Sequence, residues 1–341
     1  MFNWIKKSLF VGAMAVTSAT LWVGAAGATT LKIATLSPDG SAWMREMRQA
    51  GKDIKQQTDG RVVFKFYPGG VMGSDDAVLR KIRIGQLNGG AMTGGSLSRF
   101  APDSQAYNLP LKFRSFDEVD YVRKRLDPVI EQKIHEGGFV TFGLAEGGLA
   151  YTMSKHPIDS VESLRGSKVW IPNDDKGAQQ ATDAFGVAPI PLQVADVLAG
   201  LQTGLVDTVA TSPIGAIALQ WHTQISTMTD VPMLYFYAVL AIDKKAYKRV
   251  SAADQKIVDS VMTAAFKRID SANRKDNLAA FDALQGQGVK IIELSAEERQ
   301  RWYKLAADAE QTIIKKGVVS QEMADKVDSL LTEYRGTVAS H

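Results

Sequence analysis

Residues 31–67 read LKIATLSPDGSAWMREMRQAGKDIKQQTDGRVVFKFY, and this stretch decides the fold. Leu31–Leu36 is a short β-rich apolar run, the pattern of a buried strand. Ser37-Pro38-Asp39-Gly40-Ser41 is a turn whose last serine can cap a helix over Ala42–Gln57. Thr58-Asp59-Gly60 stops that helix, Arg61–Tyr67 is a second strand, and Pro68-Gly69-Gly70 ends it. Strand, helix, strand in this order is the unit of an α/β layer structure with parallel strands.

Working outward, the same alternation continues. Asp75–Gly85 has Val78, Leu79 and Ile82 on one helical face. Phe139–Ala145, Lys168–Ile171, Val206–Ala210, Val239–Asp243 and Val289–Leu294 are further strand candidates. The expectation is an α/β sandwich of helices on largely parallel sheets. In open α/β sheets ligands bind beyond the carboxyl ends of the strands, so the loops after Leu36, Tyr67, Ala91, Ile171 and Ala210 are the ones to watch. Ser251–Leu284 is a single helical pattern without Gly or Pro, opened by the cap Ser251-Ala252-Ala253-Asp254. At 1.5 Å per residue it would be ~50 Å long, more than the width of one ordinary domain. Ser295–Lys316 is another helix, stopped by Gly317.

The composition limits what the chain can do. Of 341 residues 45% are apolar and 23% charged, which excludes disorder and low complexity. Forty Lys and Arg against 37 Asp and Glu give +3, too little positive charge for a nucleic-acid binder. There is no cysteine, so disulfides, thiol catalysis and Cys-ligated metals are out. At the N-terminus Lys6 and Lys7 precede Ser8–Ala28, an uncharged run ending in Ala26-Gly27-Ala28. This is the pattern of a cleavable export signal over 1–28, cut at Ala28-Thr29. A retained membrane anchor is the alternative, against which Gly12, Thr17, Ser18, Thr20, Gly24 and Gly27 dilute the hydrophobicity. The expected compartment is a bacterial periplasm.

No catalytic set is assembled by motif. His135, His156, His222 and His341 are scattered without metal-ligand spacing. Gly94-Gly95-Ser96-Leu97-Ser98 fails the nucleophile-elbow pattern at its last position, and no phosphate-binding loop is present. The chain is read as a binding protein, not an enzyme, and without cofactor or metal; a secreted enzyme with a convergent site is the weakest alternative.

Further motifs carry a resemblance. LKIATLSPDGSAW at 31–43, TDGRVVFKFYPGGVMGSDD at 58–76, GQLNGGAMTGG at 85–95, NLPLKF at 108–113, LRGSKVWIP at 164–172 and LQTGLVD at 201–207 occur in order over nearly the whole mature chain. Together they resemble the DctP-type solute-binding proteins of tripartite ATP-independent periplasmic (TRAP) transporters. The resemblance implies two α/β lobes around a central cleft, joined by several crossovers and a long helix spanning both. It implies hinge closure on a small organic solute, an organic acid in most of the family, and delivery to small and large membrane permease subunits driven by an ion gradient. Lobe I would be 29–150 plus 236–280, and lobe II 151–235 plus 281–341. A periplasmic receptor feeding a sensor kinase would share the fold.

The sequence departs from the family at one informative place. Most members carry an arginine two residues before the proline of the strand-to-loop segment, where its fork holds the ligand carboxylate. Here that position is Trp170, in Trp170-Ile171-Pro172. Lys168, two residues away, is the nearest cation in sequence, and the acids Asp174 and Asp175 follow. Either another cation holds an acid, or the solute is neutral, aromatic or cationic, since a tryptophan face can stack a planar ligand or hold a cation. Trp170 as plain core is the competing reading. By the resemblance Thr211 and Ser212 reach the ligand, with turn or helix-cap roles as the alternative. Thr93 and Gly94 follow a cleft-facing strand. Ser37 borders the first loop with Trp43, which is core or wall. Asp75 begins a helix near the cleft or merely caps it. Glu146 is an acid in an apolar stretch, suited to a cationic or hydroxylated ligand. Of Tyr235, Phe236 and Tyr237 at the lobe crossover, one is expected to line the cleft. Trp221-His222 is read as structural.

Overall fold

The computed structural model describes residues 28–173 and 175–339. The expected leader, apart from Ala28, and the candidate Asp174 lie outside the described residues. The opening unit forms as read: β1 (Thr29–Thr35), α1 (Ala42–Gln57) and β2 (Val62–Tyr67), with β1 and β2 parallel from Thr29↔Val62 to Ala34↔Tyr67. The Ser41 hydroxyl accepts from the Met44 amide at 3.2 Å, which satisfies one of the free donors at the start of α1. Next come α2 (Asp75–Arg83), β3 (Gly89–Thr93), α3 (Phe116–Glu136), β4 (Phe139–Val140) and β5 (Ala145–Ser154). Then follow α4 (Val161–Arg165), β6 (Trp170–Pro172), α5 (Lys176–Phe185), β7 (Ile190–Leu192), α6 (Val197–Thr203), β8 (Thr208–Thr211) and α7 (Pro213–Ala218). The chain ends with β9 (Thr227–Asp243), α8 (Lys244–Tyr247), α9 (Ala252–Gly286), β10 (Lys290–Ile292), α10 (Ala296–Lys315) and α11 (Gln321–Ala339).

The main sheet has the order β2-β1-β3-β9-β5-β8, with β10 and β4 also paired to β9, and β6 and β7 form a separate parallel pair. The flank β2-β1-β3 is parallel, but β9 runs antiparallel to β3 and β5, and β5 antiparallel to β8. The sheet is therefore mixed, where a largely parallel one was expected. Its middle is built from two long strands, β9 of 17 residues and β5 of 10, that pass through the whole molecule instead of returning by crossover helices.

The buried apolar residues fall into two groups. One joins Leu31, Met47, Leu240 and Phe266 with Leu126, Leu149, Tyr235 and Tyr237 in adjoining clusters. The other joins Met153, Trp170, Val209 and Trp221 with Leu164, Phe185, Val231 and Trp302. The strands and helices that pass between them are visible in the clusters. In β5 Leu149 belongs to the first group and Met153 to the second. In β9 Met228 and Val231 belong to the second and Tyr235 to the first. α9 buries Ile269 in the first and Leu284 in the second. α10 makes a fourth crossing, with Trp302 in the second group and Ile313 in the first. Residues 318–331, expected with the second lobe, return to the first: Val319, Met323, Val327 and Leu331 pack with α3 residues Val122, Leu126 and Ile130. No helix among the described residues is long and apolar enough to cross a membrane.

Candidate solute-binding cavity

A cavity of about 600 Å³ opens where several strand ends converge. Leu36–Pro38 follow β1, Thr93 ends β3, Pro172 and Asn173 end and follow β6, and Thr211 ends β8; all line it. This is the carboxyl-end placement that parallel βα units impose. The glycine turn after β2 is not in the lining; its Gly69 and Gly70 amides bond to Ser37 O at 2.9 Å and Thr35 O at 3.0 Å and so brace the loop after β1.

The polar wall is held by α2. Asp75 is its first residue, behind the cap Ser74. The Ser96 hydroxyl donates to the Asp75 carboxylate at 2.6 Å, and the Thr93 and Ser96 hydroxyls are 3.0 Å apart. Burial pushes the Asp75 carboxyl up to about 6, against the Ser96 and Thr93 hydrogen bonds that favour its ionised form. Asp75 lies on the cavity wall in the first turn of α2, and the cap is Ser74, not Asp75. Asp175 caps α5, accepting from the Ala178 amide at 2.9 Å, and burial also raises its pKa. Asn108 lines the cavity with a buried Oδ1 that has no partner, and the neighbouring Gln105, 2% exposed, has an unpaired Oε1.

The apolar wall centres on Trp170. It is both core and lining: 6% exposed, it meets Trp221 edge to face, ring centroids 5.1 Å apart and planes at 76°. Its Nε1 donates to Leu192 O at 3.0 Å across the β6–β7 pair. Trp221, read as structural, also lines the cavity. On β9 the strand alternation sorts the three aromatics: Tyr235 and Tyr237 are buried in the first core, and Phe236, on the opposite face, lines the cavity.

Of the candidates, Ser37, Asp75, Thr93, Trp170, Thr211 and Phe236 are brought to this cavity. Five described ones are placed elsewhere. Ser212 is 1% exposed and caps α7. Gly94 lies against the Tyr237 ring, where a Cβ would overlap it, so that glycine serves packing. Trp43 packs edge to face on Phe266 of α9, centroids 5.5 Å apart. Glu146 is 1% exposed and paired with Arg274 of α9. Tyr235 is packed against Tyr107 and Phe113. Lys168 leaves the site as well: its Nζ bonds to Gly204 O at 2.8 Å, outside the lining. Asp175, named with Asp174 as an acid following Trp170, lines the cavity; missed in the sequence were Ser96 and Asn108, together with Arg99, Lys176 and Lys316, which are exposed residues at the cavity margin. Asn108 had a signal, the motif NLPLKF; the others are ordinary loop and helix residues whose position only the fold supplies. Among the described residues no group of His, Asp or Glu is arranged to hold a metal ion.

A cavity placed at strand ends, with walls drawn from both apolar cores and chain segments passing repeatedly between those cores, defines a two-lobed binding protein of mixed α/β type. The comparisons with known proteins agree. Residues 33–316 match the DctP family, described as bacterial extracellular solute-binding protein, family 7. The chain belongs to that family and is a solute-binding protein of the TRAP type. It is 25% identical over 310 residues to a solute-binding protein of Roseobacter denitrificans, covering 89% of this chain and 91% of that one. A TRAP periplasmic solute-binding protein from Ralstonia eutropha, solved with bound (S)-2-acetolactate, superposes with a TM-score of 0.81 at 19% identity over 89% of this chain and 99% of that one. One from Pseudomonas putida, solved with bound D-glucuronate, superposes with a TM-score of 0.78 at 21% identity over 88% and 96% of the two chains.

Proposed function

We propose that the protein is exported, loses residues 1–28, and captures a small organic solute in the 600 Å³ cavity for delivery to the small and large membrane subunits of a TRAP permease. It binds and releases its solute unchanged. The lobes are the two core groups, hinged at β5 near Ala150, at β9 near Tyr235 and in the middle of α9. The carrying observation is that the cavity takes one wall from each group: Ser37, Asp75 and Thr93 from one side, Trp170, Asp175 and Thr211 from the other. A solute touching both walls stabilises the closed arrangement by its differential affinity for it. The bound acids of the two structural relatives suggest a carboxylate solute, which Arg99, Lys176 or Lys316 could meet at the margin. Trp170 on the inner wall favours a less polar one.

The test uses the mature chain from Thr29, purified from a periplasmic extract. Mass spectrometry of the denatured protein should release one small organic molecule per chain. Adding it back should shrink the radius of gyration in X-ray scattering. A chain that carries and binds no small molecule, or that converts one catalytically, refutes the proposal.

A further inference from the structure

The geometry points to a solute whose body is apolar, aromatic or alicyclic, seated against Trp170 and one face of α5. This rests on the receptor reading above and names its substrate class. Ala178, Ala181, Thr182 and Phe185 stand at i, i+3, i+4 and i+7 of α5, which is one helical face, and all four line the cavity. Two alanines there leave room where larger side chains would fill it. The polar atoms of Thr182 and Trp170 are already used. The Thr182 hydroxyl donates to Ala178 O at 2.9 Å, and Trp170 Nε1 to Leu192 O. Trp170 thus offers the cavity hydrocarbon surface, and so do its lining neighbours Ile171, Leu192 and Trp221.

A carboxylate pressed onto this wall would lose its hydration without gaining a donor. The cations Arg99, Lys176 and Lys316 are exposed residues of the margin, and the carboxylates of Asp75 and Asp175 share the cavity with them, so the field is not one that gathers anions. A cationic head would meet those two carboxylates only on the polar margin, where burial disfavours their charged form and each already accepts, one from the Ser96 hydroxyl and the other from the Ala178 amide and the Gln105 side chain at 3.5 Å. An apolar body meets no such cost, since removing its surface from water is favourable in itself. A polar contact is on offer at the Asn108 amide, whose buried Oδ1 lacks a partner. An uncharged ring system with a single hydrogen-bond donor fits both walls.

N-phenyl-1-naphthylamine, a neutral bicyclic probe with one N–H, tests this on the delipidated mature protein, with D-glucuronate and choline as the acidic and cationic arms. The expected result is saturable uptake of one probe per chain, with enhanced probe fluorescence, and no binding of the other two. Ala181→Phe fills the α5 face and should weaken the probe at least tenfold. Ala178→Leu does the same from one turn away and serves if the first variant does not fold. Tight glucuronate or choline binding, or probe binding indifferent to both substitutions, overturns the apolar assignment while leaving the receptor reading in place. Failure of all three ligands, with no molecule recovered from the native protein, removes both.

Discussion

Arg274 on the long helix α9 closes on Glu146 of β5, with its Nε 2.7 Å from the Glu146 carboxylate, while its other two nitrogens grip Asp120 of α3 at 2.9 and 2.7 Å. Glu146 is 1% exposed, and its second oxygen has no partner. Burial pushes its pKa up; Arg274 pulls the other way. Breaking such a pair from one side leaves a buried charge uncompensated. Arg274→Ala should destabilise the protein by about 3–5 kcal/mol, and Glu146→Gln combined with Arg274→Met by far less. Urea unfolding of both variants at neutral pH checks this; equal losses would show that the carboxylate is solvated in the native state.

Much of the fold was legible because its units announce themselves locally. The β1-α1-β2 run carries its cap, stop and turn residues in sequence, and α9 runs from Ala252 to Gln285 without Gly or Pro. The long strands were not legible, for physical reasons. β9 contains Asp230 and Pro232, which argue against a strand interior; the structure absorbs Pro232 beside a register shift opposite Tyr151, where no ladder donor is required. β5 begins Ala145-Glu146-Gly147-Gly148, which reads as a loop. Gly147 sits at a second shift, packed against Phe236, and Gly148 at φ +110° lies under Asn277, so the glycines are there for close approach within a strand. The cavity was half legible. Residues at strand ends follow from topology, whereas Asn108 and the inner face of α5 reach it through tertiary packing, which no local pattern encodes.

Gly94 gives a second prediction. Ser104 Oγ donates to Gly94 O at 2.7 Å, and Tyr237 Oη donates to Ser104 O at 2.9 Å, so glycine, serine and tyrosine interlock directly behind the cavity wall. A Cβ on Gly94 would push into the Tyr237 ring, and both neighbours are pinned. Gly94→Ala should cost about 1–3 kcal/mol or more, as overpacking does. Gly95→Ala, whose Cβ would stand 3.4 Å from Gln105 Nε2, should fold as the parent does. Thermal melts of the two variants side by side decide it; equal melting temperatures would contradict the close approach.

Trp170→Ala should act on stability and on binding together. It removes a large ring from the core around Trp221 and one of the two hydrogen bonds on Leu192 O, which keeps the Asn173 amide at 3.3 Å; such a change typically costs about 3–5 kcal/mol. It also takes away a wall of the cavity, so affinity for the native solute should fall more than tenfold, about 1.4 kcal/mol. Isothermal titration at a temperature where the variant is still folded separates the two effects. Unchanged affinity would leave Trp170 as core alone.

Asp75 makes the stability of the solute-free protein depend on pH in a direction opposite to that of a salt-bridged carboxylate. Its pKa is about 6 in the folded protein against 3.8 for a free side chain, so the native state holds the proton more tightly than the unfolded one. Stability from this group is therefore lost as pH rises from roughly 4 to 6, and the loss persists at neutral pH. The full shift would be worth about 3 kcal/mol, and contact with cavity water reduces it to roughly 1–2 kcal/mol. Asp75→Asn keeps an acceptor for the Ser96 hydroxyl and has no charge to desolvate. The variant should be more stable than the parent by that amount at pH 7.5, with the advantage vanishing near pH 4. Urea midpoints of both proteins at the two pH values measure the difference. An advantage that is absent at pH 7.5, or that grows on acidification, would mean the Asp75 carboxylate is ionised and well solvated behind Ser96.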